Sequence, residues 1–408
     1  MSRILVPMRL LYVTQSYYPF LEMGGPTVKV RALARGLAAS GHAVTVLTAD
    51  LGFDGEKRDL TSAVPGRWGF EMQEDGVHSI YLRTRARYRN LTWNPGLAAF
   101  CREKLDGYDL THIYGLYDLL GPRVAHACRR IAHPYVLEPM GMFLPIVRNI
   151  RLKRLYHGTL GGPLQRGASR VIATAEQERQ EFLEGGIADS RIVVRRNGID
   201  VPSQFPARGS FRTKWRISED AKLILFLGRL VSKKSPDLLL EAFSQWSQRE
   251  DGSRASMLVM AGPDEGDGFR AHLETTAAKM GLNGKILFTG PLYGDAKWAA
   301  FRDADVFVLP SQNENFGNTA AEAVACGTPV LVTERCGIAP IVNQRAGLVV
   351  PHDCEALEMG LARILEDRDF ASRLREGCKE VSNSLGWAEP LAQMETLYRD
   401  VILERQGQ

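Results

Sequence analysis

Short aliphatic runs alternate with helical stretches along all 408 residues, and this alternation constrains the fold more than any other feature. Each run is apolar on both faces, which is typical of a strand buried in a parallel sheet. In the first half, strands are predicted over residues 10–14, 43–48, 80–82, 110–113, 135–137, 170–174 and 191–194. Pro26 suits the first turn and Gly41 the C-terminal cap of a helix predicted between the first two strands, over residues 26–40.

The alternation breaks at residues 197–212, a polar stretch with Asn197-Gly198, two prolines and a further glycine, where we place an interdomain linker. It restarts with strands predicted over residues 222–227, 257–261, 286–288, 306–309, 330–332 and 348–350, and it ends with a helix over residues 387–406. Two such arrays predict the α/β class, with two Rossmann-like βαβ domains facing each other across a cleft.

Composition excludes several classes of protein. The chain is 45% hydrophobic and 24% charged, which excludes a disordered chain. No apolar run approaches the ~20 residues that span a bilayer, and no secretory signal is visible at the start. The six cysteines show neither C-x-x-C pairs nor metal-ligand spacing, so we expect a reduced, cytoplasmic protein.

Charge is unevenly distributed between the two halves. Residues 1–200 hold 27 Lys and Arg against 19 Asp and Glu, whereas the second half is acidic. A basic first half indicates an anionic partner, such as a phosphorylated substrate or an acidic lipid surface. No nucleic-acid partner is expected, because the sequence contains no zinc-finger, basic-zipper or RNA-binding signature.

Ligands of open α/β sheets bind at the carboxyl ends of the strands, and this rule selects two candidate loops. Gly24 and Gly25 precede the first helix, where backbone amides could approach a phosphate; a simple turn is the alternative. Gly228 and Arg229 follow the first strand of the second domain, with Lys234 close behind. These two cations could bind phosphate oxygens, or they could belong to a solvated basic loop.

A third loop follows the strand predicted over residues 306–309. Glu314 is expected in this loop and Glu322 in the first turn of the next helix, with Asn318 as a plausible N-cap. The amides of Phe316, Gly317 and Asn318 could donate to hydroxyls or to an anion. The alternatives are an exposed loop acid and an acid favoured by the helix dipole.

These residues resemble family 4 of the retaining glycosyltransferases, which have the GT-B architecture. The resemblance rests on the E-x7-E pair with Phe316-Gly317 inside it, and on the continuation Ala323–Val330. Gly228-Arg229 with Lys234, Gly24-Gly25, and Asn197-Gly198-Ile199-Asp200 also fit.

The resemblance implies a role for each matched position. Glu314 would bind hydroxyls of the donor sugar, and Glu322 would bind the ribose of the nucleotide. Arg229 and Lys234 would neutralise the diphosphate. The implied catalytic residues are Arg229, Lys234 and Glu314, and the implied donor-binding residues are Gly24, Gly25, Gly228, Asn315, Phe316, Gly317, Asn318 and Glu322. The last helix would return to the first domain, which gives domains of residues 1–203 with 386–408, and 204–385.

The chain departs from the family pattern on the acceptor side. Only the first histidine of a frequent D-x-x-H-x-H motif is present, as His112, and Tyr114 stands at the second position. Met140 stands where another histidine is common. His112, Tyr114 and Met140 are therefore acceptor-side candidates, although His112 could equally be a histidine of the core.

The expected activity is transfer of a hexose-type sugar from a UDP- or GDP-sugar to an acceptor hydroxyl, with retention at the anomeric carbon. The nucleotide sugar would be a co-substrate, and neither a cofactor nor a metal is expected. A place in cell-surface polysaccharide or glycolipid synthesis is the favoured context. The alternatives are a nucleotide-sugar epimerase of the same architecture and a non-enzymatic two-lobed binding protein.

Two further stretches need an explanation. Asp303-Ala304-Asp305 resembles a metal-binding D-x-D, but it precedes a strand and is interpreted as two structural acids. The basic stretch Val147–Tyr156 could rest on anionic lipid at the inner face of the membrane or hold a phosphorylated acceptor; an ordinary surface helix is the alternative. The arginine-rich stretch Arg83–Arg89 is interpreted as an acceptor-side loop.

Overall fold

The computed structural model describes residues 6–20, 25–51, 60, 62–88, 91–143, 150–249, 255–264, 266 and 268–407. The chain divides into two compact units. Unit 1 comprises Met1–Gly198 and Trp387–Gln408, and unit 2 comprises Ile199–Gly386. The predicted linker boundary, 203/204, lies a few residues after the observed division.

Unit 1 is built on a nine-stranded sheet with a separate two-stranded hairpin. Its strands are β1 (Arg9–Val13), β2 (Ala43–Ala49), β3 (Val64–Pro65), β4 (Gly69–Glu74), β5 (Val77–Leu82), β6 (Ala86–Tyr88), β7 (Leu91–Trp93), β8 (Leu110–Tyr114), β9 (Tyr135–Glu138), β10 (Arg170–Ala173) and β11 (Ile192–Val194). Its helices before the linker are α1 (Gly25–Ala39), α2 (Gly96–Lys104), α3 (Leu120–Arg130), α4 (Ile150–Tyr156), α5 (Gly162–Gly167) and α6 (Glu176–Glu184).

The order of the large sheet is β11-β10-β9-β8-β1-β2-β5-β4-β3. All neighbours from β11 to β5 are parallel, whereas β4 and β3 are antiparallel additions at one edge. The sequence did not predict β3, β4 or the hairpin β6–β7. Their residues are mixed polar and apolar and partly exposed, so they lack the continuous apolar pattern of a central strand.

Unit 2 follows the linker with a fully parallel six-stranded sheet, in the order β14-β13-β12-β15-β16-β17. Its strands are β12 (Lys222–Leu227), β13 (Ser256–Ala261), β14 (Ile286–Gly290), β15 (Val306–Leu309), β16 (Val330–Thr333) and β17 (Gly347–Val350). Its helices are α7 (Ser210–Trp215), α8 (Pro236–Ser247), α9 (Phe269–Lys279), α10 (Gly294–Asp303), α11 (Asn318–Ala325), α12 (Ala339–Val342), α13 (Cys354–Glu366) and α14 (Arg368–Ser382).

The chain then returns to unit 1 as α15 (Ala388–Gln406). Met394, Tyr398 and Val401 of this helix are buried in the same apolar cluster as Leu10 and Tyr12 of β1. The predicted return of the last helix to the first domain is therefore confirmed, as are the α/β class and the two Rossmann-like sheets.

Parallel strands end at a common edge, so each unit has one edge where the loops after its strands collect. In unit 2 the neighbours β12, β15 and β16 bring together residues 228–235, 310–317 and 334–338. This edge carries Gly228, Arg229, Lys234 and Glu314 of the predicted donor site, whereas Gly25 belongs to unit 1.

Candidate functional site

The loop after β15 is held in place by backbone hydrogen bonds to both neighbouring loops. The Glu314 amide donates to the Arg335 carbonyl at 3.0 Å, and the Gly337 amide donates to the Glu314 carbonyl at 2.9 Å. On the other side, the Gln312 amide donates to the Lys233 carbonyl at 3.0 Å. Because its backbone is fixed from two directions, this loop presents the Glu314 side chain at a defined position.

Glu314 forms an ion pair with Lys234. Lys234 Nζ donates to Glu314 Oε2 at 2.5 Å, and both side chains remain partly exposed, at 17% and 22%. Burial of Glu314 favours its neutral form, but the positive charges of Lys234, Lys233 and Arg229 outweigh it and lower the pKa. The charges of three cations thus act on one carboxylate at this edge of unit 2.

Gly228 makes room for Lys234 in this arrangement. A Cβ at Gly228 would lie 3.1 Å from Lys234 Cδ, so a larger residue would displace the lysine side chain. The backbone of Gly262 also passes close to that of Gly228, because a Cβ at Gly262 would lie 1.7 Å from the Gly228 carbonyl oxygen. The predicted Gly228, Arg229 and Lys234 therefore occur together with Glu314 at one edge, although Arg229 itself lies on the exposed surface.

Glu322 lies on α11 and is paired with a lysine that the sequence did not indicate. Lys297 Nζ on α10 donates to Glu322 Oε1 at 2.8 Å. Burial raises the pKa of Glu322 despite this pair, and Asp200 adds to the rise. The expectation that Glu322 occupies the first helical turn is wrong, because the helix begins at Asn318 and places Glu322 in the second turn.

The predicted N-cap is also corrected, by one residue. Gly317 occupies the N-cap position of α11 with a φ of 102°, so Asn318 is the first helical residue. A positive φ of this size favours glycine, which accounts for Gly317 in the motif. Phe316 is buried in the core of unit 2, so only its backbone can contribute to a ligand site, whereas Asn315 and Asn318 are partly exposed.

On the edge of unit 1, the predicted residues are dispersed. Gly25 is the exposed first residue of α1, and Gly24 lies outside the described residues. His112 and Tyr114 are almost fully buried within β8, where their rings stack at 3.8 Å. The structure thus places both rings in the core, which supports the core interpretation of His112. Met140 is partly exposed and has a φ of 54°.

His112 borders a buried ionic cluster that the sequence did not indicate. Glu138, at the end of β9, forms ion pairs with Lys29 of α1 and, at 2.5 Å, with Arg195. Burial opposes ionisation of Glu138, but Arg195 and Lys29 lower its pKa to about 2. Burial lowers the pKa of Lys29 to about 8 and that of His112 to about 3, so His112 is neutral. The Lys29–Glu138–Arg195 cluster ties α1 to the ends of two strands.

The acidic pair Asp303 and Asp305 has a structural role. Asp303 accepts hydrogen bonds from the amides of Gly209, Phe211 and Arg212 and so caps α7, at 2.6–3.1 Å. Asp305 accepts from the Arg212 side chain and from a strand amide. Among the described residues, no group of three or more His, Cys, Asp and Glu side chains could hold a metal ion.

These two sheets, with an acid pair and basic loops at the carboxyl edge of the second, are the arrangement expected of a GT-B glycosyltransferase. The model of the glycosyl transferase 4-like domain matches residues 24–198, and the model of glycosyl transferases group 1 matches residues 208–381. Together the two matches span most of the chain. It belongs to the group 1 glycosyltransferases, with a family 4-like first domain.

Individual relatives agree with this assignment. An uncharacterized glycosyltransferase of Methanocaldococcus jannaschii is 26% identical over 98% of this chain and 100% of its own length. A D-inositol 3-phosphate glycosyltransferase of Nocardioides sp. is 29% identical over 93% of this chain and 85% of its own length. The enzyme of the same name from Salinispora tropica is matched over only 52% of its length.

Solved structures show the same fold. The Anabaena protein HepE, crystallised with UDP and glucose, superimposes with a TM-score of 0.73 over 96% of this chain and 99% of its own, at 16% identity. No helix within the described ranges is long and apolar enough to cross a membrane.

Proposed function

We propose that this chain is a retaining hexosyltransferase that uses a UDP- or GDP-sugar without a metal ion or a cofactor. The observation that carries the proposal is the group of three cations, Arg229, Lys233 and Lys234, whose charges act on Glu314. A nucleotide diphosphate has the charge to match it. The crystallisation of HepE with UDP supports a nucleotide of this kind.

Arg229, Lys234 and Glu314 would each have a separate role in sugar transfer. Arg229 and Lys234 would stabilise the charge that develops on the diphosphate as the sugar leaves. Electrostatic stabilisation by preorganised groups is usually the largest single contribution to catalysis. Binding of the diphosphate would compete with Glu314 for Lys234 and release the carboxylate toward hydroxyls of the sugar. The leaving phosphate oxygen can accept the proton of the acceptor, so no protein nucleophile is needed.

Glu322 would bind the ribose, and Lys297 would orient the Glu322 side chain. Because Lys297 contacts Oε1, the second carboxylate oxygen remains for a ribose hydroxyl. Hydrogen bonds to a charged group contribute about 1.5–3 kcal/mol each. Lys297 would therefore act through Glu322 on the affinity for the nucleotide.

Calorimetric titration with UDP, GDP and ADP in the presence of EDTA tests the donor site. We expect saturable binding of one diphosphate, and Lys234→Ala should weaken it at least about tenfold. Lys222→Ala is the matched control, because Lys222 lies at the opposite, amino end of β12. Equal losses in the two variants, or no binding by wild type, would refute the assignment. Product analysis with the corresponding nucleotide sugar then separates transfer from epimerisation.

We further propose that the acceptor belongs to a cell-surface polysaccharide or glycolipid and that unit 1 contacts an anionic membrane peripherally. The support comes from α4, where Leu152 and Leu155 are 46% and 61% exposed. Arg151 and Arg154 are exposed beside them, so the helix presents apolar and basic groups together. Val147 and Arg148 of the predicted basic stretch lie outside the described residues.

A further inference from the structure

Tyr117, Lys153 and His157 form a cluster of partly exposed side chains in unit 1, next to the buried Gln165. Tyr117 lies three residues beyond β8, and its hydroxyl is 2.8 Å from His157 Nε2. Gln165 Nε2 lies 3.2 Å from the other ring nitrogen, His157 Nδ1. Lys153 of α4 places its Nζ 5.2 Å from the centre of the Tyr117 ring. None of these residues is used by the donor site of unit 2.

Tyr117 and His157 both have uncommon backbone conformations. Tyr117 has a φ of 64°, which is rare for a large side chain and concentrates at functional sites. His157 begins a π-helical turn, His157–Gly161, a form that is also frequent at functional sites. The chain thus adopts two uncommon conformations that together bring Tyr117 and His157 into contact.

The chemistry of the side chains determines which atom donates in each of the two hydrogen bonds of His157. An amide nitrogen can only donate, so Gln165 donates to Nδ1 and the proton of a neutral His157 lies on Nε2. Nε2 then donates to the oxygen of Tyr117. The hydroxyl hydrogen of Tyr117 is therefore not used by His157 and can be donated to a ligand oxygen.

The ionisation states agree with this assignment of donors. Burial and the nearby charge of Lys153 lower the pKa of His157, which keeps the ring neutral near pH 7. Burial raises the pKa of Tyr117 to about 12, which keeps its hydroxyl protonated. The neutral hydroxyl of Tyr117 and the ammonium group of Lys153 thus lie close to the same Tyr117 ring.

We propose that Tyr117, His157 and Lys153 form an acceptor-binding site in which Tyr117 donates to an acceptor oxygen and Lys153 binds a phosphate group carried by the acceptor. His157 and Gln165 are positioning residues that orient the Tyr117 hydroxyl. This site rests on the proposed glycosyltransferase function, whose acceptor class it names. The phosphate could be a soluble sugar or polyol phosphate, or the phosphodiester of a lipid.

Titration with inorganic phosphate, followed by the imidazole NMR signals of the eight histidines, tests the site. His157→Gln identifies the signal of His157. We expect a saturable change of that signal in wild type, and Lys153→Met should weaken the affinity at least about tenfold. Lys104→Met is the matched control, because Lys104 is an exposed lysine of unit 1 at the end of α2, and this variant should bind phosphate like wild type. No response at His157, or equal responses in Lys153→Met and wild type, would overturn the proposal.

Two further arms separate the sources of the phosphate and test Tyr117. Tighter binding of glycerol 3-phosphate than of inorganic phosphate indicates a soluble ester, whereas a His157 response to phosphatidylglycerol vesicles indicates a lipid. Tyr117→Phe should bind inorganic phosphate like wild type. It should no longer bind the preferred ester, glycerol 3-phosphate or phosphatidylglycerol, more tightly than inorganic phosphate. If the variant keeps this preference, the proposed role of the hydroxyl is wrong. UDP should bind in unit 2 and not at this site. UDP titration of each variant therefore shows separately whether the donor assignment or the acceptor assignment has failed.

Discussion

The buried ionic cluster around Glu138 should contribute strongly to the stability of unit 1. Replacing Glu138 with glutamine keeps the shape of the side chain but removes the carboxylate that Lys29 and Arg195 share. The pKa of Glu138 is about 2 instead of the usual 4.5. At about 1.4 kcal/mol for each pH unit, this difference corresponds to ~3 kcal/mol. That value lies at the lower end of the 3–5 kcal/mol expected for breaking a buried pair.

The pH dependence gives the sign of the effect. A carboxyl whose pKa is lower in the folded state stabilises the fold fully above its unfolded pKa. This contribution disappears as the pH falls from about 4.5 toward 2. Wild type should therefore lose stability over this window, and Glu138→Gln should lack that part of the loss because it has no carboxyl to protonate at this position.

Hydrogen exchange measured by mass spectrometry resolves unit 1 from unit 2 and avoids a single unfolding free energy for a two-unit chain. We expect amides of α1 and β9 to exchange about a hundredfold faster in Glu138→Gln at neutral pH. Glu389→Gln is the matched control, because Glu389 pairs with Arg196 at 2.5 Å but its side chain is 60% exposed. Such surface pairs contribute at most about 1 kcal/mol. Equal exchange in the two variants would refute the reasoning.

Five further outcomes test the proposed donor and membrane sites. Glu314→Ala should abolish most sugar transfer while the free diphosphate still binds, and normal transfer by this variant would contradict its assignment to the sugar. Glu322→Ala should weaken diphosphate binding by about tenfold or more, and Lys297→Met should weaken it in the same direction by less; melting curves exclude unfolding. EDTA should reduce the rate of transfer less than about tenfold, and a larger loss restored by magnesium or manganese would show a metal requirement. Leu155→Ser should reduce co-sedimentation with vesicles of anionic lipid at low salt, and equal recovery of wild type with neutral and anionic vesicles would argue against membrane contact.

The parallel sheets could be predicted from the sequence because each of their strands is a local pattern. β12 and β15 have the predicted bounds, since a strand buried on both faces is an uninterrupted apolar run. The edge strands β3 and β4 and the hairpin β6–β7 were missed for the opposite reason. Their mixed, partly exposed sequences resemble loops as closely as strands.

Side-chain partners were predictable only where they belong to a motif. Glu314 and Glu322 lie within one short segment, so their positions at the edge of unit 2 followed from the strand before them. Lys297 reaches Glu322 from another helix, and no local pattern marks that contact. The pairing of Tyr117 with His157 likewise depends on two uncommon backbone conformations that no residue in either segment requires.

The return of α15 to unit 1 has a consequence for the order in which the two units can form. Unit 2 is one continuous segment placed between the last strand and the last helix of unit 1. During synthesis its core can therefore close while unit 1 still lacks Met394, Tyr398 and Val401, which complete the cluster around Tyr12. A nascent unit 1 would expose that apolar surface until α15 is made, so ribosome-bound chains that end before α15 should be the species most in need of a chaperone.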